Sequence, residues 1–481
     1  MTSGNHNRVR VIVSGNRTLC RLHPRPAPGM FLSRSARLSL RLQTKGFNRT
    51  HRNMSTTSNL LDYSSNVTAG LSRVTEGILT SGQGSYVQYD NGRKMLDFSC
   101  GIGVTNLGHC HPKVSKAAAD QCMNVVHVQC SIAFHEHYLR LVQKLLPLMP
   151  DPSLDSFFFW NSGSEAVEAA IKVARMVTAR QNIICMQGAY HGRTFGAMAV
   201  TRSKTIYSKG VLPVMPGVFT MPYPFWHQLG QPSDKPESEL VSQCLYQLDL
   251  LLQQQTAPTD TAAIIIEPVL GEGGYVPAPA SFLRGLREVC DKHGIMLIID
   301  EVQSGFARTG TFFAIEGSGV RPDIMIMAKG LANGFPLSGI VSRKEVMDKM
   351  PVGSMGGTYA GNAVSCAAAC AVVDVMQEEN ILANVNARSS ELFAALDDVK
   401  AANPSTVLDV RGRGLMVAVE FEGKGMAARV AKKCIEKGMI LLTTSVYEVV
   451  RFIPPLNISK EDLAKGAAIF KDAVDEAVKE A

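Results

Sequence analysis

Ile295-Met296-Leu297-Ile298-Ile299-Asp300-Glu301-Val302-Gln303 is a run of five apolar residues that ends abruptly on two carboxylates. A run this continuously apolar and this short fits a β-strand buried on both faces, as in a parallel sheet covered by helices. The same construction recurs on either side of it. Phe157-Phe158-Phe159-Trp160 is followed by Asn161-Ser162-Gly163, Ile183-Ile184-Cys185-Met186 by Gln187-Gly188, Ala263-Ile264-Ile265-Ile266 by Glu267-Pro268, and Ile324-Met325-Ile326-Met327 by Ala328-Lys329. Segments of helical length separate these runs, so the chain reads as α/β with a mostly parallel sheet. In such sheets ligands bind beyond the carboxyl ends of the strands, and the polar residues that close each run would therefore meet in one crevice.

Farther out the pattern changes. Residues 228–262, with Gly230, Pro232, Pro236 and Pro258, read as a surface excursion carrying one helix near 237–253. From about residue 376 charged helices alternate with short strands at Val407–Val410, Leu415–Phe421 and Ile440–Thr443, the expectation for a second, smaller α+β domain. Residues 1–61 hold ten Arg and one Lys, and the first acidic residue is Asp62. Those eleven cations exceed the formal net charge of +7, so the rest of the chain is net acidic. An Arg- and Ser-rich, acid-free start reads as a mitochondrial targeting leader. The alternatives are a solvated leader or untranslated upstream sequence, with Met54 as the true start and a cytoplasmic protein as the result. A nucleic-acid arm is disfavoured, since few aromatic residues interleave with the basic ones.

Composition excludes several classes. With 46% apolar residues, 19% charged residues and a mean hydropathy of +0.04, the chain is too apolar for a disordered protein. Its eleven cysteines lack a CxxC pair, which argues against a zinc ribbon or a disulfide scaffold. No apolar run reaches the roughly 18 residues a membrane span requires. His135-Glu136-His137 are spaced two apart, so the imidazoles cannot share a helix face, and neither they nor His109, His111 and His191 suggest a metal site.

Three features at the strand ends carry chemistry. Ser162 followed three residues later by Glu165 makes a capping box at the start of an amphipathic helix, whose first amides form an anion site. Lys329 arrives at the end of an apolar strand, where burial lowers a lysine pKa and frees the amine to form an imine. Asp300, delivered the same way, needs a charged or donor partner, which a pyridinium nitrogen would be. Each alone has an ordinary reading: a capped helix, a solvated lysine, a paired core acid. Together they describe a pyridoxal phosphate site.

At this point six motifs, in order, resemble the class III, fold type I pyridoxal phosphate aminotransferases over roughly residues 65–475. They are Asn161-Ser162-Gly163-Ser164-Glu165-Ala166, Tyr190-His191-Gly192-Arg193-Thr194, Ile266-Glu267-Pro268-Val269-Leu270-Gly271-Glu272-Gly273-Gly274, Asp300-Glu301-Val302-Gln303-Ser304-Gly305-Phe306, Ala328-Lys329-Gly330 and Gly357-Thr358-Tyr359-Ala360-Gly361-Asn362. The resemblance implies a large domain over 115–375 with a mostly parallel seven-stranded sheet. It also implies a smaller α+β domain assembled from 62–114 and 376–481.

The resemblance further implies that Lys329 is the imine-forming lysine and the base that moves the substrate proton, and that Asp300 pairs with the ring nitrogen. Gly163 and Ser164 would hold the phosphate, and Tyr190 and Val302 would flank the ring. Gln303 would bond the phenolic oxygen, with His191 and Glu267 completing the cofactor set. Thr358 would reach the cofactor of a neighbouring subunit in a homodimer.

At the substrate end, the resemblance to bacterial 4-aminobutyrate enzymes implies that Arg193 binds a distal carboxylate and Arg451 the α-carboxylate of glutamate. Glu272 would neutralise Arg451 when the donor lacks that group, and Ile102 would line the channel. These roles imply transfer of an amino group from an ω-amino acid, 4-aminobutyrate above all, to 2-oxoglutarate. Acetylornithine and ornithine aminotransferases use an equivalent arginine pair and remain an alternative, as does another ω-amino acid or amine transaminase of the class. Cys100 and Gly103 beside Ile102, and Trp160-Asn161-Ser162, depart from the usual pattern and would reshape the channel. An aminomutase or racemase would keep the site and need no keto acid. A non-catalytic binding protein would have no use for an intact Lys329, Asp300 and Thr358.

Overall fold

The computed structural model describes residues 60–444 and 446–480; the expected leader lies outside them except for its last two residues. Seven strands form the central sheet, in the spatial order Ser156–Trp160, Ser338–Ser342, Ile324–Met327, Met296–Asp300, Thr261–Ile266, Asn182–Met186 and Val218–Met221. Ser338–Ser342 runs antiparallel to both its neighbours, and every other pairing is parallel. All five strands expected from the apolar runs are there. The two remaining strands lack such runs. Val218–Met221 is an edge strand of four residues. In Ser338–Ser342 a Cβ at Gly339 would come within 2.8 Å of Phe159 Cδ1, so close packing against the neighbouring aromatic strand demands a residue of low strand propensity.

The core shows why the runs are continuous. Ile183, Cys185, Ala263, Ile265, Ile298 and Ile326 pack in one cluster with helix Gly163–Thr178. Ile184, Met186, Ile264, Ile266, Ile299 and Met327 pack on the other face. Side chains alternate between faces, and both faces are covered.

One expectation for the helices is corrected. Helix Glu237–Gln254 buries Leu240, Val241, Cys244, Leu248, Leu251 and Leu252 and packs on helix Ala280–His293. It belongs to a covering layer and is not a surface excursion.

One of the smaller sheets joins an early segment of the chain to a late one, and another lies wholly within the late part. Leu79–Gln83, Tyr86–Tyr89 and Lys94–Asp97 form an antiparallel meander that Met439–Ile440 extends in parallel. Val407–Arg413, Met416–Phe421, Val449–Phe452 and Leu442–Thr443 form an antiparallel sheet. The single strand expected over 440–443 is thus two, divided at Leu441 between two sheets. The boundary expected at 375/376 falls inside helix Ala363–Glu378. Among the described residues no helix is long and apolar enough to cross a membrane.

Candidate active site

The carboxyl ends of the central strands surround a cavity of about 260 Å³. Asp300, the last residue of its strand, is buried; its Oδ1 accepts the Val302 amide at 2.9 Å and its Oδ2 faces His191 Nδ1 at 2.6 Å. Burial alone would lower the His191 pKa, but the hydrogen bond and charge of Asp300 outweigh it and hold it above the ordinary value. His191 Nε2 is buried without a hydrogen-bond partner. Glu267 accepts the amides of Tyr190 and Gly271, both at 3.1 Å. Burial pushes its pKa up to about 7, with His191 opposing and Asp300 reinforcing the rise. Lys329 follows strand Ile324–Met327 with φ +48°, and desolvation holds its amine below the ordinary lysine value.

Helix Gly163–Thr178 opens on the same cavity. Ser162 Oγ accepts the Glu165 amide at 3.4 Å while Glu165 Oε2 accepts the Ser162 amide at 2.8 Å, the reciprocal box expected from the spacing. The Gly163 and Ser164 amides have no acceptor within the helix. A Cβ at Gly163 would lie 3.3 Å from Val302 Cγ1, and one at Gly192, with φ +127°, would lie 2.2 Å from Ser164 Oγ. Glycine at both positions keeps this end of the cavity open. An anion site at one end, a buried carboxylate at another and a desolvated amine between them fit pyridoxal phosphate. Asp300 would hold the ring nitrogen, Gly163 and Ser164 the phosphate, and Tyr190 and Val302 line the walls between. Gln303 borders the cavity with its Oε1 taken by the Tyr275 hydroxyl at 2.7 Å. Thr358 is exposed and borders neither this cavity nor the next.

A second cavity of about 740 Å³ shares Tyr190 and Lys329 with the first and is lined by Ile102, Arg193, Glu272 and Arg451. Arg451, 4% exposed, is ion-paired with Glu272. Burial would raise the Glu272 pKa, but the Arg451 charge holds it below the ordinary value. Arg193 Nε donates to Tyr190 Oη at 3.0 Å, and its guanidinium lies 4.4 Å from the centroid of the Tyr207 ring. Ile102 sits at φ +68° in a left-handed run from Cys100 to Gly103, costly backbone for a β-branched residue. Asp97 secures the run by accepting the Ser99 amide at 2.8 Å and the Cys100 amide at 3.2 Å. The departure at Gly103 has a cause: a Cβ there would meet Ile453 Cδ1 at 2.5 Å.

Lys204 and Tyr207, which also line this cavity, are absent from the residues the sequence singles out. They lie at and in the short 3-10 helix Thr205–Tyr207, in a stretch with no periodic pattern, and only the fold brings them to the cavity that Arg193 lines. Among the histidines set aside as metal ligands, His109 pairs with Asp97, His111 with Glu379 and His135 with the Gly361 carbonyl, whereas His137 Nδ1 is buried without a hydrogen-bond partner.

Residues 69–474 match the family described as aminotransferase class-III. The chain is 40% identical over 397 residues to the 5-aminovalerate aminotransferase of Pseudomonas putida, covering 80% of this chain and 90% of that one. It is 39% identical over 397 residues to the 4-aminobutyrate aminotransferase of Escherichia coli, with the same coverage. The crystal structure of a PLP-bound amine transaminase from an uncultivated Pseudomonas species superposes with a TM-score of 0.78 at 27% identity, covering 86% of this chain and 98% of that one.

Proposed function

The chain belongs to the class-III aminotransferase family, and from that premise we propose that this pyridoxal phosphate-dependent transaminase takes an amino group from an ω-amino acid, 4-aminobutyrate or 5-aminovalerate, and passes it to 2-oxoglutarate. One observation carries this reading: the buried Arg451–Glu272 pair faces the same chamber as Arg193. A donor with a single distal carboxylate uses Arg193 and leaves Arg451 neutralised by Glu272. An acceptor with two carboxylates displaces Glu272 and takes both arginines through strong, bidentate contacts. The names of the two relatives support the same substrate class.

Bound in the smaller cavity, pyridoxal phosphate supplies an electron sink for the carbon that loses its proton. Lys329, whose amine desolvation holds below the ordinary lysine value, would take that proton on Nζ and return it. Asp300, whose Oδ2 is paired with His191 Nδ1, would hold a proton on the ring nitrogen. Exclusion of water around Lys329 and Asp300 strengthens both interactions.

The homodimer belongs to the same reading. Thr358 lies beside Tyr359, whose ring is 5.4 Å from that of His127. Ile132 and Phe134 in the neighbouring segment are 80% and 64% exposed, an apolar surface suited to a second copy. For residues 1–61 we propose mitochondrial import, supported by the ten arginines and the lack of acid. Retention of a fusion of these residues to a reporter in the cytosol would sink that proposal.

The substrate reading is tested by mixing the cofactor-loaded enzyme with 4-aminobutyrate or 5-aminovalerate and no keto acid, following the visible band of the cofactor. Loss of the band and its recovery on adding 2-oxoglutarate are expected. Loss with acetylornithine or ornithine alone would overturn it.

A further inference from the structure

Arg411 borders neither chamber, yet it is tied to the loop that carries Glu272. In the antiparallel sheet of the smaller lobe Arg411 stands opposite Ala418, and Ala418 stands opposite Arg451. Residues directly opposite one another project from the same face, so the two arginines flank one alanine. Both reach the same loop. Arg451 pairs with Glu272, and Arg411 Nε donates to the Gly274 carbonyl at 2.9 Å. Gly274 has φ +122°, and a Cβ there would come within 3.1 Å of Arg411 Nη2.

Arg411 is itself held fast. Its Nη1 pairs with Asp409 at 2.9 Å and with Glu420, and its guanidinium lies 5.0 Å from the Phe225 ring centroid. Asp409 and Glu420 face each other two residues along the same strand pair, and Glu420 also takes His227. A guanidinium with charged partners on one edge and a backbone carbonyl on the other is a strut between two segments.

We propose that Arg411 is a positioning residue for substrate alternation: it pins the Glu272 loop at Gly274, so that Glu272 returns to Arg451 whenever no α-carboxylate is bound. This rests on the ω-amino acid reading above. Without the pin, Arg451 stands unneutralised while the donor reacts, and that half-reaction suffers. The half-reaction with glutamate uses a free Arg451 and is spared.

The test uses the holoenzyme, with single-turnover kcat/KM for 4-aminobutyrate and for glutamate in the wild type, Arg411→Met, Arg411→Lys, Glu272→Gln and the double variant Glu272→Gln with Arg411→Met. Binding of glutarate, a dicarboxylate with no reacting group, is read separately from the rise it causes in the thermal midpoint. Arg411→Met is expected to lower the 4-aminobutyrate value about tenfold, the worth of one charge-assisted hydrogen bond. The glutamate value stays unchanged and glutarate binds several-fold more tightly. Arg411→Lys falls between. On the Glu272→Gln background, Arg411→Met adds nothing.

Equal losses in both half-reactions, or a full additional loss on that background, would reduce Arg411 to a structural role and overturn the proposal. If Glu272→Gln itself fails to separate the two half-reactions, the ω-amino acid reading is what fails. If Arg411→Met does not fold, Arg411→Lys, which keeps a charge beside Asp409 and Glu420, decides the same comparison.

Discussion

The two chambers that meet at Lys329 are built by different means. In the cofactor chamber each working side chain stands at or just beyond the end of a strand of one sheet: Gly163 and Ser164 after Ser156–Trp160, Glu267 after Thr261–Ile266, Asp300 closing Met296–Asp300, and Lys329 after Ile324–Met327. Backbone ladders hold these positions. In the larger chamber Ile102 comes from a left-handed turn, Arg193 from a loop, Tyr207 from the short 3-10 helix Thr205–Tyr207, and Arg451 from another sheet. Side chains hold one another there: Glu272 holds Arg451, and Tyr190 with Tyr207 holds Arg193. The contrast separates what the chemistry requires from what a substrate requires. The first is fixed by the sheet, whereas the second can be retuned by one pair at a time.

Four changes probe that contrast. Lys329→Ala removes the proton carrier from the rigid chamber and should lower transamination by at least about 10⁴-fold with an unchanged far-ultraviolet circular dichroism spectrum; residual turnover near wild type would sink the assignment. Arg308→Met attacks a buried hydrogen-bonding hub that ties distant segments of the chain together. Arg308 is fully buried and donates to the Leu415 carbonyl at 3.1 Å, the Pro454 carbonyl at 2.5 Å and Asn106 Oδ1 at 2.9 Å. Leaving three acceptors unpaired should cost about 3 kcal/mol of stability, seen as a lower denaturant midpoint.

Glu301 marks how dry the rigid side is. Fully buried, it accepts the Ile315 amide at 2.8 Å, yet burial pushes its pKa up to about 7 from 4.5. A carboxyl whose folded pKa is raised contributes stability that is present below about pH 4.5 and lost as the pH climbs through about 7. Glu301→Gln should therefore flatten the dependence of the thermal midpoint between those limits, an effect on the order of 3 kcal/mol; an unaltered slope would place the titration elsewhere. The smallest change belongs to the adjustable side. Tyr207→Leu removes a cation–π brace worth about 0.5–1 kcal/mol and should raise KM for the ω-amino acid about threefold, with kcat held. A fall in kcat alone would show that Tyr207 acts on the chemistry.

The same contrast governs what the sequence discloses. Strand ends are legible because a strand buried on both faces must be apolar throughout, so the first polar residue after Ile299 or Met327 announces itself. The strand Ser338–Ser342 is illegible because its small residues answer to neighbours rather than to any local preference: Gly339 to Phe159, and the Ser338 and Ser342 hydroxyls to the Ser162 and Asp323 carbonyls. Lys204, Tyr207 and Arg411 give no local sign, because no spacing around them marks a site and, for Arg411, the contact with Gly274 lies far along the chain. Arg193, Glu272 and Arg451 carry no signal beyond their resemblance, and the fold places all three on one cavity.

Tyr190 and Lys329 belong to both cavities, and this sets the order of events in time. Donor and acceptor must occupy the same room in turn, each leaving before the other enters. Raising one substrate far above the other will therefore slow turnover, as the wrong tenant settles in, and the ratio of the two pools will govern flux as much as their amounts.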